Sequence, residues 1–378
     1  MTQALVMRGG PFGADLPPAV HSLMRVLAPH DGDGPAPWRL DDEAVELAVG
    51  EGLGPALGAQ VLAGRAVVPE HRREGLVWEH RVCVGASLVR RGAVRSLAAL
   101  FKDRDVPVVL LKGMALIQSV MGAGERSMGD VDVIVPPSRW RQACALVVGA
   151  GLVESKAPGR AFTGGHDYVR AFTTADGVTL EIHRYVCEQT LVSIDYEGPQ
   201  GLFSRTRSVD AGVFVPDDVD LFLTLAAHAA KHTFELPLRS FLDGIVLQRL
   251  RPLRAEALIA RAAAWRMQEV TRAWMRCLRM LAAPEPASGL PAPAPDRPLG
   301  RWLWGRTRHA SAWQRFLRLG WLFDSPADWT RHVVTRALLR AADLVVPETA
   351  LERGLPDGER QRSAEAGPTT PEPASRSR

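Results

Sequence analysis

A chain of 378 residues that is 46% hydrophobic is long enough to bury at least one full-sized core, with two or three structural units as the expectation. A formal charge of +4 and a pI near 9.1 are too mild a basic excess to imply nucleic acid, whose dedicated binders concentrate charge on one face. Cys83, Cys144, Cys187 and Cys277 form no CxxC pair and suggest neither a zinc ribbon nor a dense disulfide framework. The first residues lack the apolar run of a secretory signal, and no stretch approaches the roughly 18 apolar residues of a membrane span. A cytoplasmic protein with reduced, partly buried thiols is expected. Only Lys102, Lys112, Lys156 and Lys231 are lysines among 46 basic residues, a usage that fits a GC-rich bacterial genome.

In chain order, residues 1–40 are rich in Gly, Pro and Asp apart from an apolar patch at His21–Leu27, and read as an irregular lead-in. A helical region is expected over 41–104. Asp41-Asp42 offer a cap, Gly50–Gly54 break the first run, and Pro55–Val68 resumes it. Glu74–Lys102 reads as one long amphipathic helix, with Val77, Val82, Val84, Leu88, Val94, Leu97 and Phe101 at three- and four-residue spacings. The character changes at Pro107: Val106–Leu111 is a buried strand closed by a turn at Lys112-Gly113. A helix over Met114–Met121, a turn-rich Gly122–Gly129 and a second strand, Val131–Val135, follow. Ser138 is placed to cap a helix over Arg139–Gly149, and strands at Tyr168–Thr173 and Val178–His183 are joined by an Asp176-Gly177 turn. This order predicts an α/β or α+β unit of roughly 80–100 residues inside 105–215.

Residues 216–283 return to helical patterning, with segments at Asp217–Lys231, Leu238–Leu250, Ala255–Ala263 and Met267–Leu281. A Pro-rich linker is expected at 284–299 and a Trp/Arg-rich segment at 300–350, ending in a helix at Thr330–Val345 that packs on the rest of the protein rather than on a membrane. Residues 351–378 are polar and Pro/Ser-rich, the composition of a disordered tail.

The segment Gly129-Asp130-Val131-Asp132-Val133-Ile134-Val135 carries carboxylates at i and i+2 among apolar residues. In a strand both point to one face, with Cα atoms roughly 6.5–7 Å apart, and can converge on metal ions about 3.5–4 Å apart, as in two-metal phosphoryl chemistry. Without a cation they repel and are costly to desolvate, so the alternative is a strand that starts at a surface turn with both carboxylates solvated. His228 and His232 sit at i and i+4, a spacing that can chelate zinc, but no Glu follows His228 and no third ligand is fixed. A helix face packed beside a cleft is the expected role for that pair.

The ordered set Leu111-Lys112-Gly113, Arg126, Asp130-x-Asp132 and Glu181-Ile182-His183 resembles the DNA-polymerase-β-like nucleotidyltransferase superfamily, in the branch of uncharacterised bacterial nucleotidyltransferases with LKG, Arg, DxD and ExH. The likeness covers roughly Pro107–His183 and continues through His228-Ala229-Ala230-Lys231-His232 to Phe241-Leu242-Asp243. It implies an α+β fold: a small mixed β-sheet nucleotidyltransferase core flanked by N-terminal and C-terminal helical regions. It also implies that Asp130, Asp132 and Glu181 are catalytic and bind Mg²⁺ or Mn²⁺, and that Lys112, Gly113 and Arg126 bind the nucleoside triphosphate. His183, His228, His232 and Asp243 would stand behind them. A glycine at a helix start lets backbone N–H groups approach phosphate, and a lysine beside it adds a full charge. The superfamily usually has a serine where Gly113 stands, whose hydroxyl contacts phosphate, and its third acid is usually Asp rather than Glu.

The implied reaction transfers a nucleoside monophosphate from an NTP to an unidentified small-molecule, peptide or protein acceptor and releases pyrophosphate. A rival reading is a catalytically degenerate member acting as a binding or scaffold protein, motivated by Gly113; another is a zinc protein built on His228 and His232. A nucleic-acid polymerase is disfavoured by the lack of an extended basic-aromatic track. For Arg126 a pairing with Glu125 or Asp130 is the structural alternative, and for Asp243 a pairing with Arg239 is expected first.

Overall fold

Val108, Val109 and Leu110 are each fully buried, and a β-branched and leucine run of this kind forms a strand covered on both faces. This strand lies inside the main sheet of a computed structural model that describes residues 16, 18–28, 37–154, 168–189, 191–282, 317–320 and 322–345. The strands are β1 (Trp38–Arg39), β2 (Ala66–Val67), β3 (Val108–Leu110), β4 (Asp130–Ile134), β5 (Val153–Glu154), β6 (Val169–Thr173), β7 (Thr179–His183), β8 (Thr206–Asp210) and β9 (Val213–Pro216). The seven-stranded sheet has the order β5-β6-β7-β4-β3-β9-β8. It is mixed: β4 runs parallel to β7 and β3 parallel to β9, and the other neighbours are antiparallel. β1 and β2 pair separately.

The helices are α1 (Pro18–Leu27), α2 (Asp42–Gly50), α3 (Gly54–Leu62), α4 (Glu70–Lys102), α5 (Lys112–Ser119), α6 (Trp140–Gly149), α7 (Asp218–Lys231), α8 (Leu238–Leu250), α9 (Ala255–Ala264), α10 (Gln268–Leu281) and α11 (Pro326–Val345). The architecture is α+β, with helical regions flanking a mixed sheet. α4 packs along β3, β9 and α6, whereas α5 packs on β4, β9 and α7. The C-terminal helices close around Trp274, which is 1% exposed and lies within 6.5 Å of the rings of Phe222, Phe234 and Phe241. All four cysteines are buried, and none forms a disulfide.

Several local expectations need correction. The apolar patch in the lead-in is a full helix, α1, because Val20, Leu23, Met24 and Leu27 recur on one face and bury it. The helix expected over Pro55–Val68 ends at Leu62, since Gly64 takes a left-handed φ of +71° and turns the chain into β2. α4 starts four residues earlier than expected, directly after Pro69. Ser138 does not cap α6; its N–H donates to Glu197 Oε2 at 3.1 Å, and Arg139 occupies the cap position. The sequence pattern does not announce the β8–β9 hairpin. The Pro-rich linker, Trp302, Trp304, Trp313, Trp321 and the polar tail lie outside the described residues.

Candidate metal centre

β4 and β7 are parallel and in register, with Asp130 opposite Thr179, Asp132 opposite Glu181 and Ile134 opposite His183. Register places the Asp132 and Glu181 side chains next to each other on one sheet face, and the two-residue strand period brings Asp130 and His183 to that same face. Val131, Val133, Leu180 and Ile182, on the other side of both strands, are at most 1% exposed and anchor the pair. Asp132, Glu181 and His183 each offer a ligand atom, and these atoms lie within 4.8 Å of one another. His183 Nε2 is 2.9 Å from Asp132 Oδ1 and 3.4 Å from Glu181 Oε2. Its Nδ1 is buried with no hydrogen-bond partner among the described residues. Asp130 lies outside that trio, half-buried at the start of β4.

Lys112 donates to Asp132 Oδ1. Its backbone has a φ of +48°, a left-handed conformation unfavourable for a residue with a Cβ, which lets the chain leave β3 and enter α5 within one residue. A Cβ on Gly113 would sit 2.8 Å from Met128 Sδ and 2.9 Å from its Cγ. A serine at that position would need the half-buried Met128 side chain to move aside.

Electrostatics divide the carboxylates. Burial works against Asp132 ionisation, yet the hydrogen bond from His183 and the Lys112 charge hold it well below the usual range. The hydrogen bond from His183 likewise lowers Glu181, against burial. Burial, joined by the charges of Asp132 and Glu181, raises Asp130. For His183 burial opposes protonation, but its bonds to Asp132 and Glu181 raise its pKa overall. The trio with Lys112 thus holds charge in a nearly closed site. A nitrogen and carboxylate oxygens brought together in this way, with one carboxylate ionised despite burial, form a donor set that suits a divalent cation.

Arg126 is not paired with Glu125 or Asp130. Its Nε and Nη2 donate to Asp243 Oδ1 and Oδ2 at 2.7 and 2.9 Å, and its Nη1 donates to the Ser127 carbonyl. Asp243 thus pairs with Arg126 rather than Arg239. The Arg239 guanidinium instead lies against Gly52, where a Cβ would be 2.8 Å from its Nη1, and makes no hydrogen bond among the described residues. His228 and His232 form an edge-on ring pair with centroids 4.8 Å apart; burial and then the nearby Lys112 charge lower the pKa of His228. Lys231, which lies between them in sequence, has its Nζ 5.2 Å from the centroid of Tyr168.

One set of residues gave no signal in the motif pattern. α4 holds the 122–129 loop: Ser87 donates to the Ala123 carbonyl, His80 Nδ1 is 3.0 Å from the Gly124 carbonyl, Cys83 Sγ donates to the Arg126 carbonyl at 3.3 Å, and Arg90 Nη2 donates to the Met128 carbonyl at 2.6 Å. The approach is close enough that a Cβ on Gly124 would lie 2.4 Å from His80 Cε1. The available hint was Ser87, a polar residue at a core position of the helical period.

The mixed sheet thus presents carboxylates on adjacent parallel strands, beside a lysine at a strand-to-helix turn. A family model described as uncharacterised nucleotidyltransferase matches residues 39–283, and the chain belongs to that family. No curated protein and no solved structure matches it.

Proposed function

We propose that this protein transfers a nucleoside monophosphate from an NTP to an acceptor. The observation that carries the reading is the register of Asp132 opposite Glu181 on parallel strands, with His183 completing a trio of donors. Asp132, Glu181 and His183, joined by Asp130 from the same face, would hold divalent cations such as Mg²⁺ or Mn²⁺. Bound there, these ions would supply positive charge to the phosphoryl oxygens and to the attacking and leaving oxygens.

An acceptor hydroxyl or phosphate oxygen attacks the α-phosphorus, the bond from that phosphorus to the β-phosphate bridging oxygen breaks, and pyrophosphate leaves with the electron pair. Glu181, the more accessible carboxylate of the trio, accepts the acceptor's proton. Gly113 and the start of α5 receive the triphosphate, where helix N–H groups and Lys112 favour negative charge. Lys112 then exchanges its Asp132 contact for phosphate. Arg239 adds a guanidinium at the same end, while Arg126, engaged by Asp243, positions the loop ahead of Asp130.

Asp132→Ala tests the proposal: turnover of labelled NTP should vanish while the circular dichroism spectrum is preserved. Isothermal titration of the unaltered protein with Mg·ATP separates this reading from that of a degenerate scaffold, which predicts no binding with or without Mg²⁺. Retained turnover in the variant would refute the catalytic role.

A further inference from the structure

The inner face of α4 is buried through Leu76, Cys83, Ser87, Val94, Leu97, Ala98 and Phe101. On the opposite side of the helix the chain carries exposed apolar residues: Trp78 is 65% exposed, Val82 51%, Leu88 58% and Val89 48%. Trp78, Val82 and Val89 share this face with Gly75, Gly85 and Gly92, and, apart from the helix's own neighbouring backbone, no described atom lies within 4 Å of where a Cβ on any of these glycines would be. Glycine inside a helix is destabilising relative to alanine, and the packing of the described residues supplies no reason for three of them.

Residues 75, 78, 82, 85, 89 and 92 follow each other at intervals of three, four, three, four and three, the heptad spacing of a helix seam that packs against another helix. This pattern reads the same in both directions. We propose that α4 pairs antiparallel with α4 of a second copy of this chain, about a two-fold axis between Cys83 and Val84.

In that register Trp78 faces Val89 of the other copy, Val82 faces Gly85 and Gly75 faces Gly92, so large residues meet small or medium ones. Glu74 and Arg95, which flank the seam, face each other across the axis; Arg95 Nε already donates to Asp210 Oδ2 at 2.6 Å, but the side chain stays 68% exposed, and its charge attracts the opposite charge of Glu74. A parallel pairing would stack Trp78 on Trp78, leave Gly85 opposite Gly85, and bring Glu74 toward Glu79. Size and charge therefore select the antiparallel arrangement, which is isologous as a closed dimer requires.

Sedimentation velocity of the full chain at micromolar concentration tests this directly. The expected result is a dimer that Val82→Glu converts to a monomer with an unchanged circular dichroism spectrum. A monomeric unaltered protein, or a dimer that persists in Val82→Glu, would overturn the proposal. Register is read by disulfide cross-linking, for which the four native cysteines, being buried, give little background. A mixture of Trp78→Cys and Val89→Cys chains should cross-link while neither variant does so alone; self-cross-linking of Trp78→Cys would overturn the antiparallel arrangement.

Discussion

Replacing Arg126 by methionine separates a bracing role from a nucleotide-binding one. The guanidinium makes two bonds to Asp243, at 2.7 and 2.9 Å, and the two side chains are only 11% and 2% exposed. Removing one member of such a pair leaves the other charge buried and uncompensated, a loss of about 3–5 kcal/mol. For a folded body of this size each kcal/mol moves the midpoint by roughly 2–4 °C, so Arg126→Met should lower the melting temperature by roughly 10 °C. The double variant Arg126→Met/Asp243→Leu should recover most of that loss, because both charges are then gone and their volume is largely kept. Thermal melts followed by circular dichroism, alongside calorimetric titration with Mg·ATP, give both readouts. An unchanged melting temperature combined with lost nucleotide affinity would refute the bracing role and make Arg126 a direct phosphate ligand.

Gly113→Ser should lower stability by about 1–3 kcal/mol, the usual cost of overpacking, because its Cβ enters the space of Met128; chemical denaturation should show the loss relieved in Gly113→Ser/Met128→Ala. At Lys112, whose φ is +48°, glycine should be about 1–2 kcal/mol more stable than alanine, although both variants lose turnover; equal stability would argue against backbone strain at this turn. Arg239→Ala should weaken Mg·ATP binding by roughly tenfold, the worth of one charge-assisted contact, with little change in melting temperature. Burial pushes the Cys187 thiol up to about 12, so it should resist alkylation at pH 8 in the folded protein and react after unfolding.

Strands whose residues are apolar on both faces were legible in the sequence. β3 depends on an unbroken Val and Leu run, β4 on Val131, Val133 and Ile134 set around its two aspartates, and the β6–β7 hairpin on Asp176-Gly177, where Gly177 has a φ of +75°. β8 was not legible, since Thr206–Asp210 reads polar and is a half-covered edge strand that needs only β9 as a neighbour. At the site, Asp130, Asp132, Glu181 and His183 fall on one face because a strand has period two, and motif spacing carries that information. The partner of Arg126 is different: Asp243 lies 117 residues away, a separation at which no local pattern operates. The same holds for Ser87, His80, Cys83 and Arg90, whose hydrogen bonds go to backbone carbonyls and so place no demand on the sequence of the loop they hold.

Those contacts bear on what the helical flanks do. The 122–129 loop runs directly into Asp130, and it is held by α4 from the N-terminal side and by Asp243 of α8 from the C-terminal side. Ser127 Oγ adds a 3.1 Å bond to the Gly52 carbonyl, between α2 and α3. β4 therefore starts at a point fixed by α4, α8 and the α2–α3 turn, all outside the sheet, and the position of its first carboxylate depends on all three. An isolated sheet core would keep the Asp132–Glu181 register, which strand pairing maintains on its own, but would lose the restraint on Asp130. Removal of either helical flank is accordingly expected to disturb the site at Asp130 before it disturbs Asp132 and Glu181. Since α4 reaches this loop with one face and presents its heptad stripe on the other, pairing of two chains along that stripe would stiffen the helix from which the loop hangs.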